Sequence, residues 1–128
     1  MSRRDELLEL TNQFMDAFNE NDLERMMSFF AAEGAVYDEF NGRANQGLDA
    51  IRAAFGPQFE GAFGEMKFLD EDLFIDPDAG KVMVSWRCTL EVKGNPTGWR
   101  GLDLLHWEGD KITNKITYAK AKAPLFES

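Results

Sequence analysis

The sequence predicts an α+β fold in which three N-terminal helices cover one face of a curved antiparallel sheet. Three observations carry this. Apolar residues recur at helical spacing in three segments up to about residue 55, everything beyond about residue 64 alternates as strands, and the breaks between those strands have turn chemistry too short for helical crossovers. At 128 residues the chain is expected to be one domain, 1–128, large enough for a full core and too small for two.

Ser2 with Asp5 three residues later reads as a helix start, and Leu7, Leu8, Thr11, Phe14, Met15 and Phe18 then line one side of a helix over about residues 3 to 19. Asn21 with Glu24 caps a second helix with Leu23, Met26, Met27 and Phe30 on its apolar side, and Gly34 is placed to end it. A short strand, 35 to 40, and a polar glycine-bearing loop, 41 to 47, lead to a third helix with Leu48, Ile51, Ala54 and Phe55 inward, stopped by Gly56-Pro57. Four strands follow, roughly 64 to 75, 81 to 93, 97 to 108 and 111 to 121. They are separated by Pro77-Asp78-Ala79-Gly80, Gly94-Asn95-Pro96 and Glu108-Gly109-Asp110-Lys111. Short breaks imply a meander.

A formal charge of -9 repels phosphate backbones and anionic membrane surfaces, which removes the usual driving term for nucleic-acid or membrane binding. Lys111, Lys115, Lys120 and Lys122 are spread along one segment as a strand face would spread them. No stretch is apolar for long enough to span a bilayer and the N-terminus is not signal-like, so the expectation is a cytoplasmic protein. One His and one Cys spell no zinc cluster, and no carboxylate spacing matches a calcium loop. Neither a metal nor a cofactor is expected.

Chemistry is suggested first by Asp103, a carboxylate in the most apolar and aromatic strand, where an ionised group is costly unless paired or hydrogen-bonded. Strand alternation puts Trp99, Gly101, Leu105 and Trp107 on its side, with Arg100, Leu102, Leu104, His106 and Glu108 on the other. Leu102 and Leu104 make that second face apolar too, as covering by a partner subunit would require. Trp86, Trp99 and Trp107 are core by default and could also floor a pocket for a flat apolar ligand. On the last strand, Lys115 and Thr117 either face outward or bring a cation and a hydroxyl to the site. Asp38 stands at a strand end, where acidic residues are mostly solvated; Arg100 could pair with an acid across the sheet.

From about Leu7 to Lys120 the sequence resembles the SnoaL-like and ketosteroid isomerase-like branch of the NTF2-like superfamily. The resemblance rests on 14–23 (FMDAFNENDL), 30–38 (FAAEGAVYD), 47–52 (GLDAIR), Gly101-Leu102-Asp103 and Gly109-Asp110-Lys111-Ile112, taken in order. It implies a cone-shaped (cystatin-like) fold, a hydrophobic pocket inside the cone for a small apolar molecule, and a homodimer through the outer sheet face. It also implies two catalytic acids: Asp38 as a general base shuttling a proton between carbons beside a ketone, and Asp103 kept protonated to donate to the developing oxyanion. Phe14, Phe18, Trp86, Trp99, Trp107, Lys115 and Thr117 would line the pocket. At Phe14 the isomerase-like members carry a Tyr whose hydroxyl is the other oxyanion donor, and losing such a donor costs on the order of a hundredfold in rate. Glu39 likewise replaces a common Pro. Two readings follow: a cofactor-independent isomerase, cyclase or dehydratase acting beside a carbonyl, or a non-catalytic dimeric module binding a ligand or a protein.

Overall fold

The computed structural model describes residues 1–120; Lys122 and the last residue of the final predicted strand lie outside the described residues. α1 (Arg3–Asn19) begins where the sequence places it, with the Ser2 hydroxyl accepting from the Asp5 N–H at 3.1 Å. Its buried side holds Leu7, Thr11, Phe14, Met15, Ala17 and Phe18. α2 (Leu23–Met27) is shorter than predicted and is capped by Asp22, which accepts from the Arg25 N–H at 3.1 Å. Asn21, the expected cap, takes a left-handed φ of 55° and donates its amide to the Phe59 carbonyl at 3.0 Å. Asn adopts that region more readily than most residues because its short polar side chain bonds locally. Gly34 therefore shapes the turn into the first strand rather than ending α2.

β1 (Val36–Asp38) and β2 (Ala44–Gln46) form a small antiparallel hairpin, so the segment read as a loop contains a strand whose Ala-Asn-Gln sequence has no strand pattern. α3 (Leu48–Phe59) runs through Gly56-Pro57 instead of stopping there. Ile51, Phe55 and Phe59 recur every four residues on one face and are all buried, and this packing outweighs the hydrogen bond that Pro57 cannot donate.

β3 (Lys67–Asp76), β4 (Lys81–Val92), β5 (Asn95–Glu108) and β6 (Lys111–Lys120) form the expected meander within a six-stranded sheet ordered β2-β1-β6-β5-β4-β3. The turn between β4 and β5 is tighter than predicted: Lys93 and Gly94 both have positive φ, 51° and 79°, which is the two-residue hairpin geometry, and Asn95 and Pro96 belong to β5. β1 pairs with β6 in parallel, so β6 is an interior strand with neighbours on both sides. Bulges between Asp70 and Asp72 and between His106 and Trp107 bend the sheet around the helices.

Helices and sheet are fastened at Asn19. Its side chain accepts from the Phe68 N–H at 2.8 Å and donates to the Phe68 carbonyl at 3.0 Å, so the end of α1 acts as one more strand residue on β3. Phe14 is fully buried, its ring edge-on to Phe18, Phe29 and Phe30 at centroid distances of 5.1, 5.7 and 5.8 Å. Replacing it by Ala removes the hub of that cluster. Phe14→Ala is expected to lower the unfolding free energy by about 3–5 kcal/mol, measured by urea denaturation, whereas Phe14→Tyr tests only whether this dry site accepts a hydroxyl.

Candidate functional site

The cross-strand registers bring one polar group together from three strands. Val84, Asp103 and Thr117 are lateral neighbours on β4, β5 and β6, and Lys115 lies two residues from Thr117, hence on the same face. This is the concave face. Asp103, Lys115 and Thr117 are 3%, 4% and 8% exposed, so none of the three finds its partner in water.

They find it in each other. Lys115 Nζ donates to Asp103 Oδ1 at 3.0 Å and to Thr117 Oγ1 at 2.8 Å, while the Thr117 hydroxyl donates to the same Oδ1 at 2.6 Å. Trp86 Nε1 donates to Asp103 Oδ2 at 3.1 Å. Ammonium and indole N–H groups can only donate, so both carboxyl oxygens of Asp103 are acceptors here. The position of Trp86 depends on Gly101, its cross-strand partner: a Cβ there would come within 2.6 Å of the Trp86 ring and 2.5 Å of the Tyr118 carbonyl.

The ammonium is enclosed by rings, 4.5 Å from the Tyr37 centroid, 5.4 Å from Phe55 and 5.7 Å from Phe18. Tyr37 in turn stacks on Phe55, with centroids 4.3 Å apart and planes within 9°. Cation–π contact of this kind strengthens when water is excluded. Among the described residues, two of the three N–H groups of Lys115 have hydrogen-bond acceptors, and the third is left to the ring faces. Burial, and then the nearby Asp103, push the Tyr37 hydroxyl above the usual phenol range, so it remains a neutral O–H through neutral pH. Burial raises the Cys88 thiol to about 12, which keeps it out of thiolate chemistry.

This cluster forms the floor of a partly open cavity of about 60 Å³. The half-buried Phe40, Gln58, Met66, Phe68 and Trp99 line its outer part. Of the residues expected from the sequence, Phe18, Trp86, Trp99, Asp103, Lys115 and Thr117 line it. Phe14 and Trp107 do not: Phe14 lies within the helix cluster, and Trp107, farther along β5, packs edge-on against Phe29 at 6.2 Å.

Asp38 is not brought to Asp103. On β1 it is Tyr37 that lies beside Lys115, while Asp38 pairs with Ile116, and adjacent strand residues point to opposite faces. The half-buried Asp38 therefore stands on the convex side, in line with Ile116 and Leu104. Lys115 and Thr117 face inward because the β5–β6 register pairs them with Leu105 and Asp103 on the concave face, and β1 then closes the other edge of β6. His106 is on the convex side, as alternation predicts, and Arg100 makes the cross-sheet ion pair foreseen for it, with Glu71 at 2.8 and 2.9 Å. The lining residues missed by sequence reading are Met15, Tyr37, Phe40, Phe55, Gln58, Met66, Phe68 and Cys88. The spacing of Phe55 and Phe59 on α3, had Pro57 not been read as a stop, was the signal for one of them.

The family model described as a SnoaL-like domain matches residues 11–115, and the chain belongs to that family. Among curated protein sequences, none matches this chain. Among solved structures it is similar to a candidate polyketide cyclase from Xanthomonas campestris pv. campestris, with 19% identity over 93% of both chains and a TM-score of 0.78. It is also similar to PrhC from Penicillium brasilianum (18% identity, 93% of this chain and 83% of that one, TM-score 0.81). A third is a Catenulispora acidiphila protein of ketosteroid isomerase-like fold in complex with trimethylamine (16%, 91% and 88%, TM-score 0.77). At these identities the likeness establishes the cone-like α+β fold.

Removing one partner of a buried ion pair leaves the other uncompensated. Asp103→Ala is expected to cost about 3–5 kcal/mol of stability in urea denaturation, and the double variant Asp103→Leu with Lys115→Met is expected to recover most of the loss.

Proposed function

We propose that this SnoaL-like chain binds a small, flat, apolar molecule bearing one carbonyl group and moves a proton at the carbon beside it, without a cofactor. The observation that carries this reading is the Lys115–Asp103–Thr117 cluster at the end of an aromatic cavity. An apolar wall with a few convergent polar groups favours a mostly apolar ligand and fixes its orientation. The ion pair is neutral overall, so a neutral carbonyl suits it better than a carboxylate, which would add an uncompensated charge in a dry site.

In this reading the roles differ from those implied by the resemblance. Lys115 takes the oxyanion position, because its ammonium can donate to a carbonyl oxygen whose negative charge grows as the neighbouring C–H bond breaks. Asp103, an acceptor at both oxygens, is the proton acceptor. Asp38 keeps no catalytic part, since it lies across the sheet. One of the fold relatives is named as a candidate polyketide cyclase. The second reading, binding without turnover, is favoured by Phe14, which supplies no hydroxyl where the isomerase-like members have one.

The proposal includes a homodimer across the convex face. Phe74, Met83, Leu104 and Ile116 are successive cross-strand partners there and form an apolar row across four strands, with Phe74 66% exposed in the single chain. Such a row on a sheet face is an unfavourable surface to leave in water.

Two measurements test these statements. In heavy water, exchange of the α-protons of small aromatic ketones followed by NMR is expected to be accelerated by the native protein, slowed about a hundredfold or more by Asp103→Asn, and nearly unchanged by Asp38→Ala. Loss of exchange in Asp38→Ala alone would relocate the base, and tight ketone binding with no exchange would establish the second reading. Sedimentation velocity is expected to give a dimer for the native chain and a monomer for Leu104→Glu.

A further inference from the structure

Lys115 is a primary amine held against a carboxylate in a cavity that, on the reading above, receives a carbonyl compound. We propose that Lys115 Nζ forms a covalent imine with a small aromatic aldehyde or ketone, with Asp103 carrying the protons, so that the site works through a bound iminium. The inference rests on the carbonyl-binding reading and goes beyond it in bonding.

Two features of the site support the step. The rings of Tyr37, Phe18 and Phe55 surround Nζ in place of water, so a cationic iminium formed there keeps the ring faces that hold the ammonium. Asp103 Oδ1 lies 3.0 Å from the nitrogen and 2.6 Å from the Thr117 hydroxyl, within reach for direct or relayed proton transfer.

The step balances within the pair. The ammonium gives one proton to Asp103, and the freed lone pair forms the Nζ–C bond as the carbonyl π electrons move to oxygen. That oxygen takes the proton back from Asp103. A second proton then passes from nitrogen to Asp103 and on to the hydroxyl, which leaves as water when the C–O bond breaks and the nitrogen lone pair forms C=N. The product is an iminium beside a carboxylate, with the same charges as the starting ammonium and carboxylate. Lys115 therefore needs no new counter-ion in a dry site, and a C–H beside the iminium carbon is more readily removed than one beside a neutral carbonyl.

The test uses the whole chain with benzaldehyde and sodium cyanoborohydride near pH 7, read by intact mass and peptide mapping. The expected result is one benzyl group on Lys115 in the native protein, none at that position in Lys115→Arg, and about a hundredfold slower trapping in Asp103→Asn. Because these variants disturb a buried pair, a measurement on the native protein stands beside them: in ¹⁸O-water, the protein is expected to accelerate exchange of the acetophenone carbonyl oxygen, which an imine requires and non-covalent enolisation does not produce. If benzaldehyde quenches the fluorescence of the cavity tryptophans but Lys115 gains no benzyl group and the acetophenone oxygen is not exchanged, the imine is refuted while the carbonyl-binding reading stands. If benzaldehyde and acetophenone neither bind nor react, both fall.

Discussion

An ammonium and a carboxylate 3.0 Å apart inside an aromatic shell constrain much of this molecule. Neither group can be left alone there, because the desolvation of each is offset only by the other and by the hydrogen bonds around them. Trp86 and Thr117 supply those bonds. Gly101 makes room for the indole of its partner Trp86, β6 holds Thr117 in register with Asp103, and β1 places Tyr37 over the nitrogen. Much of the sheet order can be read as the means of keeping these groups converged.

The same arrangement explains why stability and chemistry are hard to separate at this site. A hydrophobic replacement of the whole pair could fold as well or better, whereas loss of one member strands a charge. A buried pair therefore argues weakly for stability and more strongly for use, and its position in a cavity wall points in the same direction.

The sequence made the fold legible because its signals were periodic. Ser2 and Asp5 marked the start of α1, alternation marked the strands, and short turns marked the meander. It misplaced features decided by tertiary contact. Phe59 burial carried α3 past Pro57, the Phe59 carbonyl drew Asn21 away from capping α2, and β2 is a strand only because β1 offers an edge to pair with. At the site, alternation around Asp103 correctly gave the buried face of β5. What it could not give was the parallel pairing of β1 with β6, and that pairing sets Tyr37 beside Lys115 on the concave side and Asp38 on the convex side.

The connection between β1 and β2 has a consequence of its own. It carries Phe40 to the cavity's outer part, yet its closing hydrogen bonds, Glu39 N–H to the Arg43 carbonyl at 2.8 Å and Gly42 N–H to the Glu39 carbonyl at 2.9 Å, are made within the hairpin. The buried Asp103–Lys115 pair is rooted in β5 and β6, while this lip belongs to a short bend that meets the sheet where Phe40 lies 6.2 Å from Trp99. A substitution in the lip can therefore reshape the cavity's mouth without touching the hydrogen bonds that hold the interior.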